Sequence, residues 1–308
     1  MFSKKLLIPL LSLSLLVTPA YSSHAAENAE AAGTSVEGQG MLSPSSSSES
    51  SESVFNGSGA GTSSEPVTDE KLETILKQVQ SQLPAANGTW AVFISDLVNG
   101  TEGSLNDQKM QAASLIKLYI MGAVYENYDQ ITGQYGRDSV DSNLYSMITV
   151  SDNDAANTLT TYLGGGDSAA GMQAVNSFCQ AHGYDQTHMG RMLLASNEND
   201  DNYTSVGDCG HFLQEIYKQD TSGYTHAADM FNLLKAQTRC NKIPAQLPEG
   251  VKTANKTGEL DNVENDAGII YDSKNDVVIV FMSQNLSSAG SAQNTIATLS
   301  RTIYDYYN

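Results

Sequence analysis

The chain has 308 residues, with 35 acidic side chains against 16 basic ones and a net charge of −19. An excess of that sign repels phosphate backbones and anionic headgroups, so nucleic acid and acidic membrane surfaces are excluded as charge-held partners. Beyond solubility the acidity itself points to no ligand.

The N-terminus comes first. Met1–Ala25 has Lys4 and Lys5, an apolar run from Leu6 to Val17 interrupted by Pro9, and small residues ending Ser23-His24-Ala25. That order reads as a secretory signal peptide over 1–25, and the run is short for a bilayer span. A cut after Ser22 or Ala26 fits nearly as well. Residues 26–67 follow: Glu27–Pro66 is rich in Ser, Gly, Ala and Glu and has no Lys or Arg. Such a stretch buries too little apolar surface to offset its ordering entropy, so it is expected to be a disordered linker. A processed pro-segment is the alternative. Residues 68–308 are then long enough for one domain with a substantial core.

Within that domain Leu72, Ile75, Leu76, Val79 and Leu83 recur at helical spacing, with Thr68 as the expected N-cap and Asp69 and Glu70 in the first turn. Thr89–Leu97 reads as a strand. Leu115 to Ala236 is mostly helical, with irregular stretches around Gly133–Gly136, Gly164–Asp167 and His188–Thr204. The triple glycine at 164–166 follows a helix instead of opening one, which makes it a loop and not a phosphate cradle. Val251–Gly258 is another strand. Ala267–Tyr271 and Val277–Met282 form an antiparallel hairpin around Ser273–Asp276. A last helical stripe is Ile296, Leu299, Ile303 and Tyr307. Strands from both chain ends with helices between them give an α+β fold: one antiparallel sheet flanked by terminal helices, carrying an inserted all-helical subdomain.

Three cysteines in an exported chain meet an oxidising compartment. Three pairings are open. Cys209 falls near the start of one predicted helix and Cys240 just beyond the end of another, so antiparallel packing of the two would favour Cys209–Cys240 and leave Cys179 a buried free thiol. His182, His188, His211 and His226 show no metal-ligand spacing, and no metal or cofactor is expected.

Three short motifs carry the chemistry. Ser114-Leu115-Ile116-Lys117 puts a hydroxyl and an amine at i and i+3, on one face of a helix whose neighbours are apolar all round. A serine needs a nearby base to act as a nucleophile, and burial beside positive charge would lower the lysine pKa enough to supply one. At a helix start Ser114 would also offer free N–H groups to an oxyanion. Ser151-Asp152-Asn153 precedes the helix-like Asp154–Tyr162. Ser and Asp there cap a helix well; in addition Ser151 is suited to relay a proton to a leaving group, and Asn153 to orient Lys117 and a substrate amide. Lys256-Thr257-Gly258 is expected on an edge strand facing the nucleophile. Gly258 allows close backbone approach, Lys256 and Thr257 would bind a substrate carboxylate, and the Glu259 N–H would be a second oxyanion donor beside Ser114. S-x-x-K alone arises by chance roughly once per few hundred residues, but the other two arise roughly once per several thousand each. The ordered trio is therefore specific.

The domain from about Thr68 onward resembles a class A β-lactamase-type serine hydrolase of the β-lactamase/penicillin-binding superfamily. The likeness runs through Ala112-Ala113-Ser114, Ser151–Asn157 and Lys256–Glu259. It implies acylation of Ser114 by a β-lactam or an acyl-D-Ala-D-Ala-like amide, with Lys117 as general base. The signal peptide makes the protein an expected secreted or extracytoplasmic one, a monomer with the cell wall as candidate partner; the expected activity is that of a β-lactamase, with a D-Ala-D-Ala peptidase or a penicillin-binding or sensing protein as the alternative. Two departures stand out. The family carries Glu-x-x-Leu-Asn after an Arg, its Glu positioning the deacylating water; with Arg191 and Asn197 as the frame, Leu193 occupies the Glu position. Glu198 is one residue beyond that frame, better placed for a solvated loop than for the site. The stretch between Lys117 and Ser151 is also shorter than usual, which would open one side of the cleft. Acylation without efficient turnover is the expectation.

Overall fold

The computed structural model describes residues 69–219 and 224–308, all within one compact unit, Ser63–Asn308. The expected signal, the linker and Thr68 lie outside the described residues. Helix α1 (Glu70–Gln82) is capped by Asp69, whose Oδ1 accepts from the N–H groups of Lys71 at 3.0 Å and Leu72 at 3.4 Å. The cap is thus one residue later than the Thr68 reading, and a carboxylate there also meets the positive end of the helix.

Strand β1 (Thr89–Asp96) is followed by β2 (Thr101–Leu105), an element the sequence reading lacks. Leu105 is its one large apolar residue, and Glu102 and Ser104 are exposed, so no apolar alternation marks it. The hairpin is held instead by its turn: Asp96 Oδ1 accepts from the Val98 and Asn99 N–H groups at 3.0 Å each, and Gly100 sits at φ +69°. After the short β3 (Met110–Gln111) and a 3₁₀ turn at Ala113–Leu115 comes the helical region. It contains α2 (Ile116–Glu126), α3 (Tyr128–Tyr135), α4 (Arg137–Thr149), α5 (Asn153–Leu163), α6 (Ser168–Ala181), the short β4 (Tyr203–Thr204), α7 (Val206–Tyr217) and α8 (Ala227–Lys235). The breaks at Gly136, at 164–167 and across 182–202 fall in or around the expected irregular stretches. A second 3₁₀ turn (Ile243–Gln246) leads into β5 (Lys252–Leu260), β6 (Val263–Tyr271) and β7 (Val277–Gln284), and α9 (Ala289–Tyr307) closes the chain.

The five long strands form one antiparallel sheet in the order β2-β1-β7-β6-β5. Side chains alternate across it. Val92, Ile94, Val277, Ile279 and Phe281 pack with Leu72, Ile75, Ile296, Leu299 and Ile303 of the two terminal helices. Ala91, Phe93, Val278, Val280 and Met282 face the other way, into the core shared with the helical region. Burial on both faces is why β1 and β7 read as unbroken apolar runs. β6 starts four residues earlier than expected because three of its first four residues, Glu264, Asn265 and Asp266, are polar yet buried.

The Cys209–Cys240 pairing is wrong. Cys209 lies on the inward side of α7, wholly buried with its sulfur 3.4 Å from Tyr119 Oη, whereas Cys240 lies past α8 on an exposed loop. All three thiols are free, and Cys179 is buried as expected.

Candidate active site

The sequence from Ile116 to Tyr125 is buried at every position, so Lys117 enters the interior as part of a helix with no solvated face. Just ahead of it Ala113 has φ +48°, a left-handed conformation that costs a non-glycine residue free energy. Asn265 Nδ2 holds that bend by donating to the carbonyls of Gln111 at 2.9 Å and Ala112 at 3.2 Å. Ser114 follows in the 3₁₀ turn. Ser151, at φ +62°, is the second strained residue. Asp152 next to it is the N-cap of α5, its Oδ1 accepting from the Ala155 N–H at 2.7 Å. Capping and site placement therefore coexist in one tripeptide.

These elements bring five of the expected residues to one point. Lys117 Nζ is 3.1 Å from Ser114 Oγ, 2.7 Å from Asn153 Oδ1, 2.7 Å from the Ser151 carbonyl and 3.2 Å from Ser151 Oγ. Lys256 Nζ reaches Ser151 Oγ at 2.8 Å from the opposite side and donates to the Thr257 carbonyl at 2.7 Å. A continuous path of polar atoms thus runs from Ser114 through Lys117 and Ser151 to Lys256. Thr257, buried within β5, joins it through that carbonyl.

Strand β5 is the end strand of the sheet, bonded to β6 on one side. A side chain at Gly258 would lie 2.9 Å from the Ala112 carbonyl and 3.2 Å from the amide nitrogens of both Ser114 and Leu115. Only glycine lets the strand backbone approach the nucleophile this closely. Glu259, the next residue, lines the same cleft as Ser114 and Asn153, a hollow of about 290 Å³.

Burial pushes the Lys117 ammonium down to about 7, with the Arg239 charge acting in the same direction and Asp152 opposing. Burial holds Lys256 well below the usual lysine range too, reinforced by the charges of Lys117 and Arg239. An amine poised near neutrality beside a serine hydroxyl is suited to take up a proton.

Arg191, Leu193 and Asn197 all line the cleft. Asn157 grips Leu193 on both sides: its Nδ2 donates to the Leu193 carbonyl at 3.0 Å and its Oδ1 accepts the Leu193 N–H at 2.8 Å. Glu198 is exposed and does not line the cleft.

Three contributors escaped the sequence reading. Asn157 is the last residue of the Ser151–Asn157 stretch and carries no signal of its own there. Arg239, whose Nη1 is 3.1 Å from Glu259 Oε2, is a lone arginine in a loop and leaves no spacing signal. Lys242 is wholly buried, 2.6 Å from Glu264 Oε2, 3.1 Å from Glu259 Oε1 and 3.3 Å from the Gly258 carbonyl. It pins the end of β5 from behind. Lys242→Ala would leave the Glu264 carboxylate buried without its cation, and the expected loss of stability is about 3–5 kcal/mol in urea unfolding. A loss under about 1 kcal/mol would show that the pair is not needed to hold the strand.

Fold and site together define a class: a β-lactamase/transpeptidase architecture with a serine and two lysines where the helical region meets the end of the sheet. The model for the beta-lactamase enzyme family matches residues 71–136 and 132–307. The chain belongs to that family. Among solved structures it is similar to PBP-A, at 22% identity over 76% of this chain and 96% of that one, with a TM-score of 0.66. A mutant of PBP-A with leucine changed to glutamate, solved as an acyl-enzyme complex with penicillin G, gives the same identity, coverage and score. A class A β-lactamase representing the last common ancestor of Gram-negative bacteria matches at 20% identity over 76% of this chain and all of that one, TM-score 0.65. No curated protein matches.

Proposed function

We propose that this chain is an exported active-site-serine hydrolase that is acylated on Ser114 by β-lactams and releases the acyl group slowly. Neutral Lys117 takes the Ser114 proton as Oγ attacks the amide carbonyl. The backbone N–H groups of Ser114 and Glu259 receive the oxyanion. Ser151, between the two lysines, passes a proton to the departing nitrogen, while Asn153 fixes Lys117 and the substrate amide. Lys256 and Thr257 receive the substrate carboxylate. The observation that carries this reading is the 3.1 Å approach of Lys117 Nζ to Ser114 Oγ inside a site that lowers the amine to about 7.

Leu193 favours the slow-release form of the reading. A hydrocarbon side chain in the cleft cannot activate water, so the acyl-enzyme would persist as in a penicillin-binding protein or sensor. The acyl-enzyme complex of the PBP-A mutant supports β-lactams as ligands of this fold. A D-Ala-D-Ala peptidase using the same residues at the cell wall is the rival. Following the intact mass after exposure to penicillin separates them: rapid return to the unmodified mass means hydrolysis, a persistent adduct means binding, and no adduct with cleavage of a D-Ala-D-Ala peptide means peptidase.

The titration of Lys117 gives a further expectation. Below its pKa the amine is protonated and cannot accept the serine proton. The acylation rate should therefore rise with pH through about 7 and level off above it. A profile that is flat, or falls, between pH 5 and 8 would remove Lys117 as the base.

A further inference from the structure

On α4, Arg137, Asp141 and Tyr145 follow one another at spacings of four residues, so they share one face of the helix. With Asp229, Asn232 and Leu233 of α8 they line a hollow of about 390 Å³. The hollow shares no residue with the Ser114 cleft, so what it binds is independent of the reaction proposed above.

Its floor is aromatic and fixed. Tyr125 and Tyr128 are buried with ring centroids 5.4 Å apart, and His226 packs on them at 5.2 Å and 5.0 Å. His226 takes φ +71° to do so at the start of α8, a costly conformation that the ring cluster holds in place. Its wall is a free ring. Tyr145 is 55% exposed, and among the described residues no other ring and no hydrogen bond engages its side chain. Apolar ring surface left in water favours a partner that covers it.

Arg137 and Asp141 have the spacing of a surface ion pair, yet they do not pair with each other. Both turn to Tyr128: Arg137 Nη1 donates to its Oη at 3.1 Å, and Oη donates to Asp141 Oδ1 at 2.5 Å. Asp141 Oδ2 and the rest of the guanidinium keep their hydrogen-bonding capacity. A charged ligand fits this setting poorly. An anion would meet Asp141 and Asp229, and a cation would find the Tyr128 ring already under Arg137, 5.1 Å from its centroid. A free ring beside an unused donor and an unused acceptor suits a neutral polyol with flat C–H faces. Each sugar hydroxyl both donates and accepts, and the negative face of an aromatic ring attracts polarised C–H bonds.

We propose that the hollow between α4 and α8 binds a neutral saccharide chain, one sugar ring stacked on Tyr145 and its hydroxyls shared among Arg137, Asp141 and Asn232. Its size lies within the usual range for ligand sites, about 300–1,000 Å³.

Isothermal titration of the full chain with the tetramer of N-acetylglucosamine tests this. Binding is expected, weakened at least about tenfold in Tyr145→Ala and kept within about twofold in Tyr145→Phe, which retains the ring. Tyr145 is exposed, so both variants should fold, and thermal unfolding checks that they do. Pelleting with purified peptidoglycan then separates two sources of the same chemistry. Capture that is lost in Tyr145→Ala marks a wall glycan, and tetramer binding without capture marks a free saccharide; either supports the site. No binding of the tetramer, equal binding in Tyr145→Ala, or binding of tetramethylammonium at Tyr145 in place of the tetramer overturns it.

Discussion

Ser114→Ala should abolish every penicillin adduct while leaving the fold intact. The serine hydroxyl meets one described partner, Lys117 Nζ, which keeps Asn153 Oδ1 and both oxygens of Ser151 after the change. The substitution therefore removes the nucleophile without orphaning the amine. Ser151, the other described hydroxyl that meets Lys117, is held by both lysines, with Lys256 Nζ at 2.8 Å and Lys117 Nζ at 3.2 Å from its Oγ, and serves the proton path instead. Intact-mass spectrometry after penicillin exposure checks this, with thermal unfolding run alongside to show that the variant is folded. An adduct surviving in Ser114→Ala would refute the nucleophile assignment.

Leu193→Glu should have the second-largest effect, and in the opposite sense. Leu193 lines the cleft with Ser114, its backbone is fixed by Asn157, and it is 8% exposed. A carboxylate there would stand over the acyl carbonyl on a rigid support, placed to draw a proton from water. General-base assistance is typically worth ~10²–10⁴ in rate, and the acyl-enzyme lifetime should shorten by about that factor. Burying the new carboxylate costs stability, on the order of 1–3 kcal/mol, which the domain must tolerate for the test to be read. A folded variant with an unchanged adduct lifetime would show that position 193 is not where deacylating water sits.

How much of this was legible in the sequence follows from how local each signal is. The terminal helices and β1 and β7 announce themselves through apolar periodicity, because burial on one or two faces forces it. The polar β2 does not, since its pairing is set by the Asp96 turn and not by its own side chains. The start of β6 was hidden for a related reason: Glu264 and Asp266 look like loop residues until Lys242 and Asn255 are seen to meet them. At the site, motifs of contiguous residues could be read directly, and the structure links Ser114, Lys117, Ser151, Asn153 and Lys256 into one chain of contacts that passes through Lys117 and Ser151. Arg239 and Lys242 act across the fold from positions without neighbours in any pattern, so only the tertiary structure reveals them. The cysteine pairing was not legible because helix ends do not show that Cys209 lies on the buried side of α7 while Cys240 is exposed.

The most direct test is a crystal structure of the chain soaked with benzylpenicillin. It should show continuous density from Ser114 Oγ to the opened lactam, the acyl oxygen between the amides of Ser114 and Glu259, and the carboxylate against Lys256 and Thr257. Density on any other side chain, or an acyl group with its carboxylate turned away from Lys256, would contradict the arrangement on which every proposed step depends.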